Sequence, residues 1–357
     1  MVVVSALPAT ANPIEVNNRL GSTQKVKDTT DYGLRNGSVI VVPIPFSNPV
    51  IGAGLSIGAG YIFQLAPDAN TSFVGIGAMG SDNGSKAFGA AANITFGSGW
   101  KFDFALADAD VRYDLFFNSI ELPIAQTGLL LNSGVDYPIS DALSAGVAIR
   151  YLDTNITLSS AGTSIPPSLI PDLSLELLSI GGRFEWDVRN DSDYPTDGAR
   201  VNVAANGGFS LSGDTRSYGY AYLNYDVYEP MGERGVLAAR VSTCAASSDA
   251  PFFDQCSLGF SDSFRGFSPT QYYDSRLVSG QVEYRQRVGN RFGFVAFGGV
   301  GWTGSSYGTL NDAGTRIAGG VGARYRVSQK FPVDFSVDVS INNDSEEFLY
   351  IYVGQRF

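Results

Sequence analysis

From residue 331 to 341 the chain alternates without a break. Phe331, Val333, Phe335, Val337, Val339 and Ile341 fall on one side, and Asp334, Ser336, Asp338 and Ser340 on the other. A period of two is the side-chain period of a β-strand. Just upstream, Ile317, Val321, Tyr325 and Val327 oppose Arg316, Arg324 and Arg326 in the same rhythm, and the chain closes on the aromatic run 348–357. Sixteen such segments are predicted. The first eight lie at 39–46, 50–65, 72–80, 87–96, 101–117, 121–137, 142–157 and 178–189. The second eight lie at 200–209, 218–228, 235–244, 277–288, 292–302, 316–327, 331–341 and 348–357. Alternate connections are tight and rich in Pro, Gly or Asp, including 67–68, 97–99, 138–141, 191–198, 230–235, 289–290 and 328–330. The others include the long segments 158–176 and 245–276. An even strand number with short turns at one end and long loops at the other is the pattern of a transmembrane antiparallel β-barrel with both termini in the periplasm.

Face polarity decides between lipid and water. Ile180, Gly182, Phe184, Trp186 and Val188 share one face, opposite Arg183, Glu185, Asp187 and Arg189. Val278, Val282, Tyr284 and Val288 oppose Glu283, Arg285 and Arg287. Sixteen strands enclose a lumen too wide for side chains to fill. The charged face therefore belongs inside and the apolar face against lipid, since one arginine turned to mid-bilayer costs about 2–4 kcal/mol. A smaller soluble barrel would place its apolar face inside.

Composition agrees with that choice. The 42 glycines and 18 tyrosines suit a curved sheet with wet and greasy edges, and 44% hydrophobic residues give no apolar run long enough for a spanning helix. A net charge of −11 offers nothing for nucleic acid. The absence of histidine removes the usual catalytic triads and histidine metal sites. The acids Asp108, Asp110 and Asp114, at strand spacing, read as pore lining rather than as a catalytic set. No enzyme, no cofactor and no metal site is expected. Cys244 and Cys256, twelve positions apart on the outer side of the predicted topology, favour a disulfide in an exported chain, with two unrelated thiols as the alternative. Residues 1–36 read as a residual signal segment, with Ala9 and Ala11 at its cleavage site, and a flexible periplasmic lead. Residues 37–357 read as the barrel.

Three motifs carry a resemblance. The long loop before the twelfth strand contains Phe264-Arg265-Gly266-Phe267, and the strand after it contains Glu283-Tyr284-Arg285. The turn after the eighth strand reads Asp187-Val188-Arg189-Asn190-Asp191, then Pro195 and Gly198, and the chain ends Gly354-Gln355-Arg356-Phe357. Together these resemble the BamA/TamA-type superfamily of outer-membrane assembly and translocation barrels (the bacterial surface antigen family), over about residues 37–357. The resemblance implies a Gram-negative outer-membrane barrel that assists insertion or translocation of proteins or lipids. It also implies a sixth extracellular loop folded into the lumen and Gly354 and Phe357 as part of a terminal insertion signal. Its partners would be outer-membrane lipids, the cell's barrel-assembly machinery and a client polypeptide or lipid. Two departures stand out. Gly299 replaces the aspartate the family commonly carries in Phe-x-Asp-x-Gly, and 36 residues are too few for a periplasmic POTRA module.

The residues give the resemblance a mechanism. A guanidinium inside a pore keeps its charge and needs wall carboxylates. Glu283 is the expected first partner of Arg265, with Asp187 and Glu185 beside it and Arg285 and Arg189 on the same inward faces. Gly266 would permit the tight tip and Phe267 would pack on the wall. Pro43 and Pro45 in the first strand cannot donate to a ladder, so they weaken the lateral seam with the last strand. The alternative reading is a passive pore or a structural barrel plugged by the loop.

Overall fold

A computed structural model describes residues 33–34, 37–66, 69–117, 120–158, 174–192, 194–212, 216–259, 264–326 and 334–356. The predicted lead 1–36 (all but Gly33 and Leu34), the turns 67–68 and 328–330, most of the loop 158–176, and Phe357 lie outside them. Sixteen antiparallel strands close into one barrel. In chain order they begin β1 Ser38–Asn48, β2 Gly52–Phe63, β3 Ser72–Ser81, β4 Lys86–Thr95, β5 Lys101–Phe117, β6 Ile120–Pro138, β7 Leu143–Leu158 and β8 Ser174–Asp187. Then come β9 Gly198–Ser210, β10 Ser217–Met231 and β11 Gly235–Ala246. After two short loop strands, β12 Cys256–Ser257 and β13 Tyr273–Asp274, the barrel resumes with β14 Arg276–Val288, β15 Phe292–Gly304, β16 Arg316–Arg326, β17 Asp334–Asn342 and β18 Glu347–Val353. Each barrel strand pairs with its chain neighbour, β11 pairs with β14, and β1 closes on β18.

Alternation places the side chains as a membrane barrel requires. Val339 and Ile341 of β17, Val321 of β16 and Val282 of β14 are about half exposed, whereas Asp334, Ser336 and Asp338 on the other face are fully buried. Charges inside and aliphatic groups outside hold round most of the wall. Three acids of β5 are the exception. Asp108 and Asp114 are exposed on the outer face, and Asp110 meets Lys86 and Arg112 there at 3.9 Å, so none of the three lines the pore. Strand length accounts for Asp114, which lies past Asp110, the last residue of β5 to have a partner on β4. At 17 and 19 residues, β5 and β6 overrun the other strands at the loop end. Their inner side chains there are Val111, Tyr113, Leu115, Leu122 and Ile124, which pack with Phe46, Ile51, Ile156 and the loop residues Phe252 and Tyr273. There the inner face packs on a folded loop, so apolar side chains point inward and the acids stay on the exposed outer face.

Of the strand ends that differ from the predicted ranges by a few residues, two have a clear local cause. Strand β8 stops at Asp187, because the Arg189 amide and guanidinium both donate to the Asp187 carboxylate, at 2.7–3.0 Å, and fold the chain into its turn. Strand β18 stops at Val353, since Gly354 has φ +98° and turns the tail inward; the Arg356 guanidinium stacks over Tyr352 at 4.4 Å. The aromatic run 348–357 is therefore not one strand.

Candidate functional site

The connection from β11 to β14 is fixed at its base by a disulfide, Cys244–Cys256, whose Cα atoms are 5.6 Å apart. A 3-10 turn, Phe252–Asp254, lies between the two cysteines, and β12 pairs with β13 to make a small hairpin. Sequence periodicity gave no sign of this hairpin, because each of its strands is two residues long.

Between the two strands of the hairpin, Arg265 lies against inward-facing side chains of β14, β15 and β17. Arg265 is 1% exposed. Its guanidinium donates to the Glu283 carboxylate of β14, to the Asp338 carboxylate of β17 at 2.7 Å and to the Gln281 side-chain oxygen at 3.4 Å. It also lies 3.5 Å over the Phe297 ring of β15. Each carboxylate has a second cation: Arg285 donates to Glu283 at 2.7 Å, and Arg324 holds Asp338, which also accepts from the Tyr352 hydroxyl at 2.7 Å. Such charge-assisted, multiply bonded pairs are the ones whose geometry can offset desolvation.

The tip fits because its neighbours are small. Gly266 has φ +109°, and a Cβ there would collide with Ala318 of β16. Its amide donates to the Tyr350 hydroxyl and its carbonyl accepts from the Asn342 side chain, both at 2.9 Å. On β15, a Cβ at Gly299 would strike the Phe264 ring and one at Gly301 would strike Leu258. The position where the resembled family carries an aspartate is thus occupied by a loop phenylalanine. The second carboxylate comes from Asp338, two strands further on. Phe267 packs between Phe264 and Tyr272, at 5.6 and 5.5 Å between ring centroids.

A second buried ion pair holds the same loop. Asp254 is 3% exposed and accepts from Arg150 of β7 and, at 2.6 Å, from the Tyr218 hydroxyl of β10. At the rim, Thr270 donates to the Asp114 carbonyl at 2.6 Å, Gln271 donates to Glu346 at 3.0 Å, and Tyr272 donates to Asp344 at 2.6 Å. Burial first, and then that hydrogen bond, push the Tyr272 phenol up to about 12, so it remains a donor at physiological pH.

Not every residue marked in the sequence joins this site. Glu185 is held by Arg200 of β9, and Asp187 is held by Arg189 two positions along its own chain; neither is among the partners described for Arg265. Both face inward, but strand alternation fixes only the face, not which positions meet across a lumen. Asp338, Asp254 and Arg150 were missed as partners. Asp338 was legible as an inward-facing acid in the run 331–341, whereas nothing local marks Asp254 as a binding partner of a residue 104 positions away. Pro43 and Pro45 lie on the exposed outer face of β1. Among the described residues no group of three His, Cys, Asp or Glu side chains is placed to hold a metal ion.

Comparison with known proteins agrees with this geometry. The sequence profile described as the Omp85 superfamily domain matches residues 76–357. Among solved structures, BamA from Haemophilus ducreyi lacking POTRA domains 1–3 superposes with a TM-score of 0.61 at 15% identity, over 89% of this chain and 70% of that one. CdiB from Acinetobacter baumannii gives 0.60 at 12% identity over 95% of this chain and 66% of that one. CdiB from Escherichia coli gives 0.58 at 12% identity over 95% and 68%. At such identities the superpositions establish the fold alone. No curated protein sequence matches significantly.

Proposed function

This chain belongs to the Omp85 superfamily of outer-membrane assembly and translocation barrels, and from that premise we propose that it works by parting its wall between β1 and β18 to admit a polypeptide or lipid client. The observation that carries the reading is the closing strand pair. All 11 residues of β1 have register partners on β2, and all 7 of β18 have partners on β17. Between β1 and β18 the described residues give one register pair, Ser47 opposite Ile351. Strand pairing is the main cohesion of a barrel wall, so this join opens at least cost. Pro43 and Pro45 remove two amide donors from the same strand. On this reading the long loops face outward, the tight turns and both termini face the periplasm, and Gly354 and Phe357 belong to an insertion signal read by the cell's barrel-assembly machinery.

The test is a cross-link across the seam. Ser47→Cys with Ile351→Cys, oxidised and reconstituted into vesicles, should lose any assistance to insertion of an unfolded outer-membrane protein and any lipid movement. Each single-cysteine variant should keep them. Equal activity in the cross-linked and single-cysteine proteins would exclude lateral opening. A second reading, a passive or structural barrel plugged by the loop, is favoured by the two buried ion pairs and the disulfide that hold the loop in place. On that reading the cross-link is silent, and Arg265→Ala raises single-channel conductance.

A further inference from the structure

At the end of the lumen that carries the tight turns, the turn after β8 folds beneath the wall of β14 and β16. The ring of Tyr194 lies 4.3 Å from the Arg287 guanidinium and 5.4 Å from that of Arg326, with Arg285 at 5.8 Å. Arg287 and Arg326 share one carboxylate, Asp334, which is fully buried and also accepts from the Gln355 amide at 2.6 Å. Two guanidiniums against one carboxylate leave a surplus positive charge at this point. The surplus has a direction. Arg287 Nη1 and Arg326 Nη2 are buried and have no hydrogen-bond acceptor. A buried N–H of a cation without an acceptor is costly, and an aromatic face compensates only in part. Asp334 is already engaged by both arginines and by Gln355, so it cannot also serve these two nitrogens.

We propose that Arg287 and Arg326 form a binding site for a phosphate oxyanion at the turn end of the lumen, with Tyr194 as the cover that a ligand displaces. Guanidinium forks match the tetrahedral oxygens of phosphate, which has enough acceptors to serve both nitrogens while Asp334 stays in place. The site lies at the end of the barrel that carries the short turns, near the ends of β14 and β16. Its phosphate can therefore come from a phospholipid headgroup or from free phosphate, two sources of one chemistry. The site does not depend on whether the seam opens.

The experiment uses the full chain in detergent and in vesicles. Thermal unfolding is followed with added inorganic phosphate, with potassium chloride at matched ionic strength, and with phosphatidylglycerol in place of monogalactosyldiacylglycerol, a lipid without phosphate. Stabilisation by inorganic phosphate without lipid assigns the free anion; stabilisation by phosphatidylglycerol alone assigns the headgroup. In either case Arg287→Gln and Arg326→Gln should each weaken the apparent affinity roughly tenfold or more, the value of one charge-assisted hydrogen bond. Tyr194→Ala should strengthen it roughly fivefold or more by removing the competing cover. Equal stabilisation of the wild type and of folded arginine variants would overturn the proposal, as would no stabilisation beyond that of chloride. If the arginine variants fail to give a folded, heat-modifiable form, Tyr194→Ala decides, and an unchanged affinity overturns the proposal.

Discussion

Replacing Arg265 by alanine isolates the lumen lock. The side chain bridges two fully buried carboxylates, Glu283 and Asp338. Removing one partner of a buried pair costs about 3–5 kcal/mol, mostly the penalty of the charge left behind. Here neither carboxylate is stranded, because Glu283 keeps Arg285 at 2.7 Å and Asp338 keeps Arg324 and Tyr352. That moves the loss to the low end, while the stacking on Phe297 at 3.5 Å, worth up to about 2 kcal/mol when desolvated, is lost as well. The expected cost is about 3 kcal/mol. With an unfolding entropy of about 2 cal/mol/K per residue over roughly 300 residues, the melting point should fall by about 5 °C. The assay is the temperature at which the compact band on an unheated gel gives way to the unfolded one. Glu283→Gln should act in the same direction, and the double variant should lose less than the sum by about 1–3 kcal/mol, because the two side chains share one interaction. Losses that add to within about 0.5 kcal/mol would show that the pair carries no coupling and that the loop is held by other contacts.

Three further outcomes are expected. Asp254→Ala should cost about 3–5 kcal/mol by stranding Arg150; it shares no described partner with Arg265, so combining the two variants should give additive melting shifts, and a shared ceiling would mean the loop releases as one unit. Reducing Cys244–Cys256 should lower stability by about 2–4 kcal/mol, and mass spectrometry of protein from its native membrane should find no free thiol without reductant. Gly266→Ala should cost about 1–3 kcal/mol from backbone strain alone, with the collision against Ala318 added, and should raise protease sensitivity of the loop; unchanged digestion would argue against the lumen position of the tip.

Much of this protein was legible one residue at a time. Strict alternation in 331–341 and 277–288 fixed both strand identity and the inward face, because the side-chain period of a strand is local. The two loop classes followed from where Pro, Gly and Asp cluster. The candidate site was half legible: Glu283 lies 18 positions from Arg265 on the strand its loop feeds, so topology alone brought them near. Asp338 lies 73 positions from Arg265 and Asp254 lies 104 from Arg150. Which inward-facing acid meets which arginine depends on how the closed wall brings distant strands together, and no local period encodes that. The same limit explains Asp108, Asp110 and Asp114. Their alternation was read correctly as strand, but only the folded barrel shows that their face is the outer one and that a folded loop packs on the inner face. The sequence by itself determined the period, and hence strand and face. The tertiary structure decided what each face meets, because that depends on side chains far away in the chain.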